Sequence, residues 1–122
     1  MHLHTLIEDC FLNSVNHGFW DDYDATIHIL EQHDVDTSKY TVDIKLSKIA
    51  LICSELCEGL EGIRTQELDK HCPEFTSEEI EFADAIIRIC DYACKFDLRL
   101  PEAIVAKMTY NKTRPAMHGK LA

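Results

Sequence analysis

The sequence contains few residues that interrupt regular structure, and it has no apolar run long enough to cross a membrane. Its 122 residues include only four glycines and three prolines, with no repeat or low-complexity tract. A membrane span needs about 18 or more consecutive apolar residues. The N-terminal MHLHTLIEDC also lacks the apolar core of a signal peptide. We therefore expect a cytoplasmic protein with no membrane partner.

Basic residues are also scarce. The chain has 12 lysines and arginines against 22 acidic residues, which gives a net charge of −10. Such a balance is poorly suited to neutralising a phosphate backbone, and it therefore disfavours nucleic acid as the main partner. A single nucleotide stays allowed if divalent cations bridge its phosphates to the acidic side chains.

The six cysteines include no CxxC motif. A zinc site at His71 and Cys72 would need a second ligand pair at a recognised spacing. Within an apolar helical pattern a free thiol behaves as a small hydrophobic group. We therefore expect reduced, structural thiols, and the ones in helical patterns are Cys53, Cys57, Cys90 and Cys94.

Apolar residues recur at helical spacing over most of the chain, and no stretch alternates for long enough to predict a strand. The sequence therefore predicts a single all-α domain over residues 1–122, a bundle of four to five helices. Thr76 with Glu79 three residues later forms a capping-box pattern, and Pro101 suits a first helical turn. The predicted helices cover residues 3–16, about 42–64, about 77–96 and 100 to about 111, with a weakly helical segment over 23–33 and a polar loop over 34–39.

Two pairs of acidic residues lie on the two longest predicted helices. Glu55 and Glu58 are three residues apart on one helix, as are Glu81 and Asp84 on the next. At 100° per residue each pair flanks an apolar stripe, so the pairs can meet if the helices pack antiparallel. Four carboxylates this close need cations, and hard divalent ions prefer oxygen ligands. The pattern predicts a metal site for Mg²⁺, or alternatively Mn²⁺. We expect the apolar stripe of the helix predicted over about 42–64 to be buried. It comprises Ile49, Ile52, Cys53, Leu56, Leu60 and Ile63.

The segment KMTYNKTRPAMHGK (107–120) supplies a second polar face. Lys107, Tyr110, Asn111 and Arg114 follow the spacing i, i+3, i+4 and i+7, so they share one side of the last helix. This side offers cations and hydrogen-bond donors to an anion. A basic C-terminal end would also complement a helix dipole, so both interpretations stay open.

Four further residues are candidates for roles beside the acidic pairs. Trp20 and Phe19 can stack on a nucleobase or close two helices as a core contact. Arg88 and Asp91 lie on the same side of their helix as the second acidic pair. Arg88 can pair with acids or contact the substrate, and we expect the pairing with acids. Asp91 is a candidate for the outer shell of the metal site.

Taken together, these segments resemble the small MazG-like nucleotide pyrophosphohydrolases of the all-α NTP pyrophosphatase superfamily. The matching segments are SELCE (54–58), EFADAIIRICDYA (81–93) and KMTYNKTRPAMHGK, and HGFWDD (17–22) is similar to the family's aromatic segment. That family carries an ExxE pair and an ExxD pair on neighbouring helices. Its fuller motif has a further Glu before the first pair, where this sequence has Ser54, and residues 21–40 have no assigned role.

The resemblance implies Mg²⁺-dependent hydrolysis of a nucleoside or deoxynucleoside triphosphate to the monophosphate and pyrophosphate, which would clean or balance a nucleotide pool. The two acidic pairs would hold the metal, and Glu55 or Glu58 would be the general base. Lys107, Asn111 and Arg114 would contact the phosphates or the sugar. Tyr110 and Trp20 complete the expected set of substrate-binding residues.

The resemblance also implies a homodimer or a dimer-of-dimers tetramer. Leu51, Ile86 and Ile89 support this, because they add apolar surface outside the main stripes. Two other functions stay open. One is a non-catalytic helical module that binds metal or nucleotide in regulation. The other is an interaction protein whose acids form a solvated face.

Overall fold

The described part of the chain, residues 2–121 without the side chain of His118, is helical in the computed structural model. Five α-helices and a short 3-10 helix occur there, which confirms the all-α prediction. None of these helices combines the length and apolarity that crossing a membrane requires. The helices are α1 (Leu3–Asn16), α2 (Asp21–Gln32), α3 (Ser38–Thr65), α4 (Ser77–Lys95) and α5 (Leu100–Lys112), followed by the 3-10 helix Ala116–Gly119.

Side-chain hydrogen bonds support the N-termini of two helices, and the pair at α4 was predicted from the sequence. Thr76 Oγ1 accepts a hydrogen bond from the Glu79 backbone N–H at 3.1 Å, and Glu79 Oε1 accepts one from the Thr76 N–H at 3.2 Å. This reciprocal pair confirms the capping box of α4. Helix α3 begins at Ser38, earlier than predicted, and Asp36 Oδ1 accepts the Ser38 N–H at 2.9 Å. That hydrogen bond lowers the pKa of Asp36.

Helix α4 is the centre of the fold, since it packs against both α3 and α1. The contact with α1 forms a small apolar core from Ile7, Cys10 and Cys90. All six cysteines, which lie within the described residues, are free thiols. Burial raises the pKa of both Cys10 and Cys90, so these thiols are unreactive packing groups.

Two glycines allow α3 and α4 to approach closely. Gly59 and Gly62 are buried on the side of α3 that faces the start of α4. A Cβ added at Gly62 would lie 2.6 Å from the Ser77 hydroxyl oxygen, and one added at Gly59 would lie 3.4 Å from Cβ of Glu81. The close approach brings the acidic residues of the two helices together.

Helix α3 therefore turns its polar side toward α4, and the expectation that its apolar stripe is buried is wrong. Leu60, in the middle of that stripe, is 57 % exposed. The reason is steric, because the glycines that permit helix contact lie on the other side of α3. Most of the stripe is exposed in the single chain, including Ile49, Cys53, Leu56, Leu60 and Ile63.

A single chain exposes much more surface than its size requires. Its solvent-accessible surface is 9277 Å². A compact monomer of 14.0 kDa is expected to expose about 6,700 Å². Helix α5 contributes to the excess, since it buries none of its residues and leaves Val105 and Met108 exposed.

Candidate metal centre and adjoining cavity

Three of the four predicted ligands converge where α3 meets α4. One carboxylate oxygen from each of Glu55, Glu81 and Asp84 lies within 4.8 Å of the other two. Glu58 is exposed and is not one of these three residues, but its carboxylate interacts with those of Glu55 and Glu81. The antiparallel contact predicted from the two acidic pairs is thus present, with Glu58 at its edge.

Within the three-carboxylate group, the pKa of Glu81 is strongly shifted. Burial raises the pKa of Glu81 to about 7, and hydrogen bonds with Glu55 and Glu58 together with their negative charges act in the same direction. Its Oε2 atom is buried and accepts no hydrogen bond from the described residues. Glu81 therefore retains a proton near neutral pH, or else requires a cation.

The pKa of Glu55 is shifted in the opposite direction. Burial acts to raise the pKa of Glu55, but the Arg88 guanidinium and a hydrogen bond from Glu81 outweigh it and lower the pKa. Arg88 Nε donates to Glu55 Oε1 at 2.7 Å, which confirms that Arg88 pairs with an acid. The Glu55 side chain is only 12 % exposed, whereas the Arg88 side chain is 44 % exposed, so the pair is shielded from water on the Glu55 side alone.

The pKa of Asp84 is influenced by Asp69, a loop residue that the sequence analysis did not identify as a candidate. Burial raises the pKa of Asp84, and the charges of Glu55 and Asp69 add to the effect, against the opposing charge of Arg88. Asp69 Oδ2 accepts the backbone N–H groups of His71 at 2.9 Å and Cys72 at 2.7 Å. An acid in a polar connection carries no distinctive spacing, so only the fold shows its proximity to Asp84.

A cavity of about 470 Å³ adjoins the acids, between α1, α3 and α4. Glu55, Asp84 and Arg88 line it, and so do Ser14, Trp20, Lys48 and Asp91. Asp84, Arg88 and Asp91 occupy positions i, i+4 and i+7 on α4, so they form one row along the cavity wall. Lys48 lies seven residues before Glu55 and forms a corresponding row on α3.

Asp91 joins three segments of the chain. Trp20 Nε1 donates to Asp91 Oδ1 at 2.9 Å, and Ser14 Oγ donates to Asp91 Oδ2 at 2.9 Å. Asp91 is two helical turns from Asp84, which is about 10 Å along the axis. It therefore lies well away from the three-carboxylate group, at the far end of the cavity.

Trp20 is mainly a packing residue. It is 1 % exposed, and its ring meets Tyr23 and Phe96 edge-on at centroid distances of 5.8 Å and 5.6 Å. Lys48 Nζ lies 4.5 Å from the Trp20 ring centroid. This environment leaves little of the indole face for a base to stack on. Phe19, by contrast, is exposed and also lines the cavity.

Three of the C-terminal candidates, Lys107, Tyr110 and Asn111, lie in α5, whereas Arg114 lies beyond the end of that helix at Lys112. The predicted helical face therefore does not extend to Arg114. Lys107 Nζ and Arg114 Cζ lie 4.9 Å and 5.7 Å from the Tyr110 ring centroid. Asn111 has a buried Oδ1 atom with no hydrogen-bond partner among the described side chains. None of the four lines the cavity, so the described structure does not bring them to the acids of the same chain.

Comparisons of the chain with known protein families, with curated proteins and with solved structures found no match. The resemblance to the MazG-like pyrophosphohydrolases therefore stays a prediction.

Proposed function

We propose that this protein is a Mg²⁺-dependent nucleoside triphosphate pyrophosphohydrolase, which releases the monophosphate and pyrophosphate. The observation that carries the proposal is the convergence of Glu55, Glu81 and Asp84 within 4.8 Å at one end of a cavity. The cavity, at about 470 Å³, is in the size range of small-molecule sites. Solvated surface acids would not account for the shielded Glu55 or the buried Glu81 oxygen.

The donor set fits a hard divalent cation. It consists of carboxylate oxygens, and both Glu81 and Asp84 have raised pKa values, because their charged forms are poorly stabilised by the protein alone. Bound Mg²⁺ would neutralise phosphate charge and make a bound water more acidic. Glu55, Glu81 and Asp84 would hold the ion, and Glu58 would complete the set from the edge.

The remaining side chains suggest a division of roles. Glu58 is exposed beside the three-carboxylate group, which favours it over the ion-paired Glu55 as the base that takes a proton from water. Arg88 lies between the acids and the rest of the cavity, where its planar guanidinium suits a phosphate oxygen. Positioning and charge stabilisation carry most of such a reaction, and no Ser or Cys nucleophile is needed.

The proposal includes a homodimer, or a dimer of dimers. The surface excess of about 2,600 Å² per chain, relative to a compact monomer, exceeds the roughly 800 Å² that each partner contributes to a standard interface. The exposed stripe of α3 and the exposed side chains of α5 supply the apolar area. In such an assembly Lys107, Asn111 and Arg114 of one copy would reach the acids of the other.

Mixing two inactive variants tests this arrangement. Glu55→Gln disables the acids and Arg114→Ala disables the C-terminal face, so each homo-oligomer should have low activity. Co-folded mixtures should recover about a quarter of the wild-type activity per chain, if sites combine residues of two copies at random. Mixtures with no recovery would place the two sets of residues in one chain.

The function itself is tested by pyrophosphate release from the eight common NTPs and dNTPs, with Mg²⁺ and with EDTA. Glu55→Gln should abolish release, whereas Glu61→Gln, which removes an exposed acid from the same helix, should not change it. Release of orthophosphate would keep a hydrolase but contradict the proposed cleavage site. Equal activity in both variants would exclude the three-carboxylate group as the catalytic centre.

A non-catalytic regulatory module is the second candidate. It is favoured by the Arg88 ion pair, which already neutralises Glu55 without a metal ion. In that case nucleotide with Mg²⁺ should raise the melting temperature without any turnover. A thermal shift combined with the pyrophosphate assay separates the two functions.

A further inference from the structure

The end of the cavity opposite the acids contains a carboxylate that the metal site does not use. Asp91 lies about 10 Å along α4 from Asp84, with Arg88 between them. A triphosphate held at the acids would therefore direct its sugar and base toward Asp91. This reasoning rests on the proposed function.

Asp91 is held firmly but keeps free acceptor capacity. A carboxylate has about four lone-pair positions, and Asp91 uses two of them for Trp20 and Ser14, both neutral donors. Within the described part of the chain no cation forms an ion pair with Asp91, because Arg88 pairs with Glu55 and Lys95 with Asp24. The cavity thus presents a carboxylate that is fixed in place and still has unused acceptor positions for N–H groups.

We propose that Asp91 determines base specificity, by accepting a hydrogen bond from the exocyclic amino group of a cytosine or adenine base. The apolar side chains of Leu51 and Ile87, which also line the cavity, would contact the faces of the base. Cytosine N4 and adenine N6 donate hydrogen bonds, and carboxylates are the usual acceptors for cytosine N4.

Keto bases lack this donor. Uracil and thymine carry a carbonyl oxygen where cytosine has its amino group, so lone pairs would face the negative charge of Asp91. A site built around a buried hydrogen bond rejects analogues that cannot form it, since the acceptor is then left unpaired. We expect dCTP to be preferred over dUTP, and dATP over dITP, by at least tenfold in kcat/KM.

Asp91 also stabilises the contact of Trp20 with α4, so the test must separate recognition from folding. Asp91→Asn keeps the shape of the side chain, and its carbonyl oxygen can still accept from Trp20 Nε1. Its amide nitrogen, however, donates to a keto base. A structural role alone would lower activity on every base equally, whereas recognition changes the ratio between matched bases.

The experiment compares kcat/KM for the pairs dCTP/dUTP and dATP/dITP in wild type, Asp91→Asn and the control Asp97→Asn. Asp97 is exposed and lies outside the cavity, so the control should keep the wild-type ratios. The proposal expects both amino-to-keto ratios to fall at least tenfold in Asp91→Asn. Thermal melting confirms that the variants are folded.

The outcomes are distinct. Equal use of amino and keto bases by wild type, or a preference for dUTP, overturns the inference while leaving the hydrolase intact, even if Asp91→Asn does not fold. Ratios that are unchanged in a folded Asp91→Asn also overturn it. Absence of both turnover and Mg²⁺-dependent stabilisation by all four nucleotides would refute the proposed function and this inference with it.

Discussion

The raised pKa of Glu81 makes the stability of the metal-free protein depend on pH. Its pKa is about 7 in the folded chain, against an ordinary value of 4.5. The stabilisation from protonated Glu81 is fully present below about pH 4.5, where both states bind the proton. It is lost as the pH rises, and the loss is complete above about pH 7. The shift of the Glu81 pKa from 4.5 to about 7 corresponds to a total of about 3 kcal/mol in the free energy of unfolding.

Chemical denaturation between about pH 5 and pH 8.5, in EDTA, measures this effect. Glu81→Gln is the reference, because a neutral amide mimics the protonated acid and cannot ionise. Wild type should lose most of the 3 kcal/mol relative to this variant across that range. Parallel profiles for the two proteins would refute the assignment of a shared proton to Glu81.

Mg²⁺ should oppose the loss of stability that accompanies ionisation of Glu81. At low pH the ion must displace the Glu81 proton, whereas at high pH the carboxylate is already ionised. The increase in melting temperature caused by Mg²⁺ should therefore be larger at about pH 8 than at about pH 6, and absent in Glu81→Gln. An equal increase in wild type at both values would show that Mg²⁺ binds elsewhere.

Three further predictions follow from the packing. Gly62→Ala should destabilise the fold by about 1–2 kcal/mol in denaturation experiments, because the new Cβ would lie 2.6 Å from the Ser77 hydroxyl oxygen. An unchanged denaturation midpoint would contradict the close contact between α3 and α4. Leu60→Glu should leave the circular dichroism spectrum unchanged but reduce the mass measured by light scattering to that of a monomer, and an unchanged assembly would exclude the α3 stripe as the interface. Arg88→Gln leaves Glu55 without its cation, so it should lower stability in EDTA and enlarge the Mg²⁺-induced shift; unchanged melting in both conditions would show that the ion pair is unimportant.

Local signals in the sequence predicted the helices well. The capping box at Thr76 and the proline in the first turn of α5 act through neighbouring backbone groups, so they need no knowledge of the fold. Helical spacing also predicted that Glu55, Glu81 and Asp84 could meet. Glu58 shows the limit of this reasoning, because a 60° difference around a helix separates a shielded position from an exposed one.

The residues at the far end of the cavity could not be predicted in the same way. Asp91 lies 77 residues from Ser14 and 71 from Trp20, and it meets them only because α1 and the turn that follows it pack against α4. Asp91 was expected near the metal, since it lies on the correct side of α4. Spacing fixes the side of a helix, but only tertiary contacts show what each turn of that side faces.

The reversed orientation of α3 links the site to the expected assembly. Close contact between α3 and α4 requires small residues, and Gly59 and Gly62 lie on the same side of α3 as Glu55. Bringing the acids together therefore commits the polar side of α3 to α4. The apolar stripe away from α4 is left exposed in the single chain, and in the proposed assembly a second copy would cover it. The helix orientation that assembles the three carboxylates is thus also the one that exposes the apolar surface of the proposed interface.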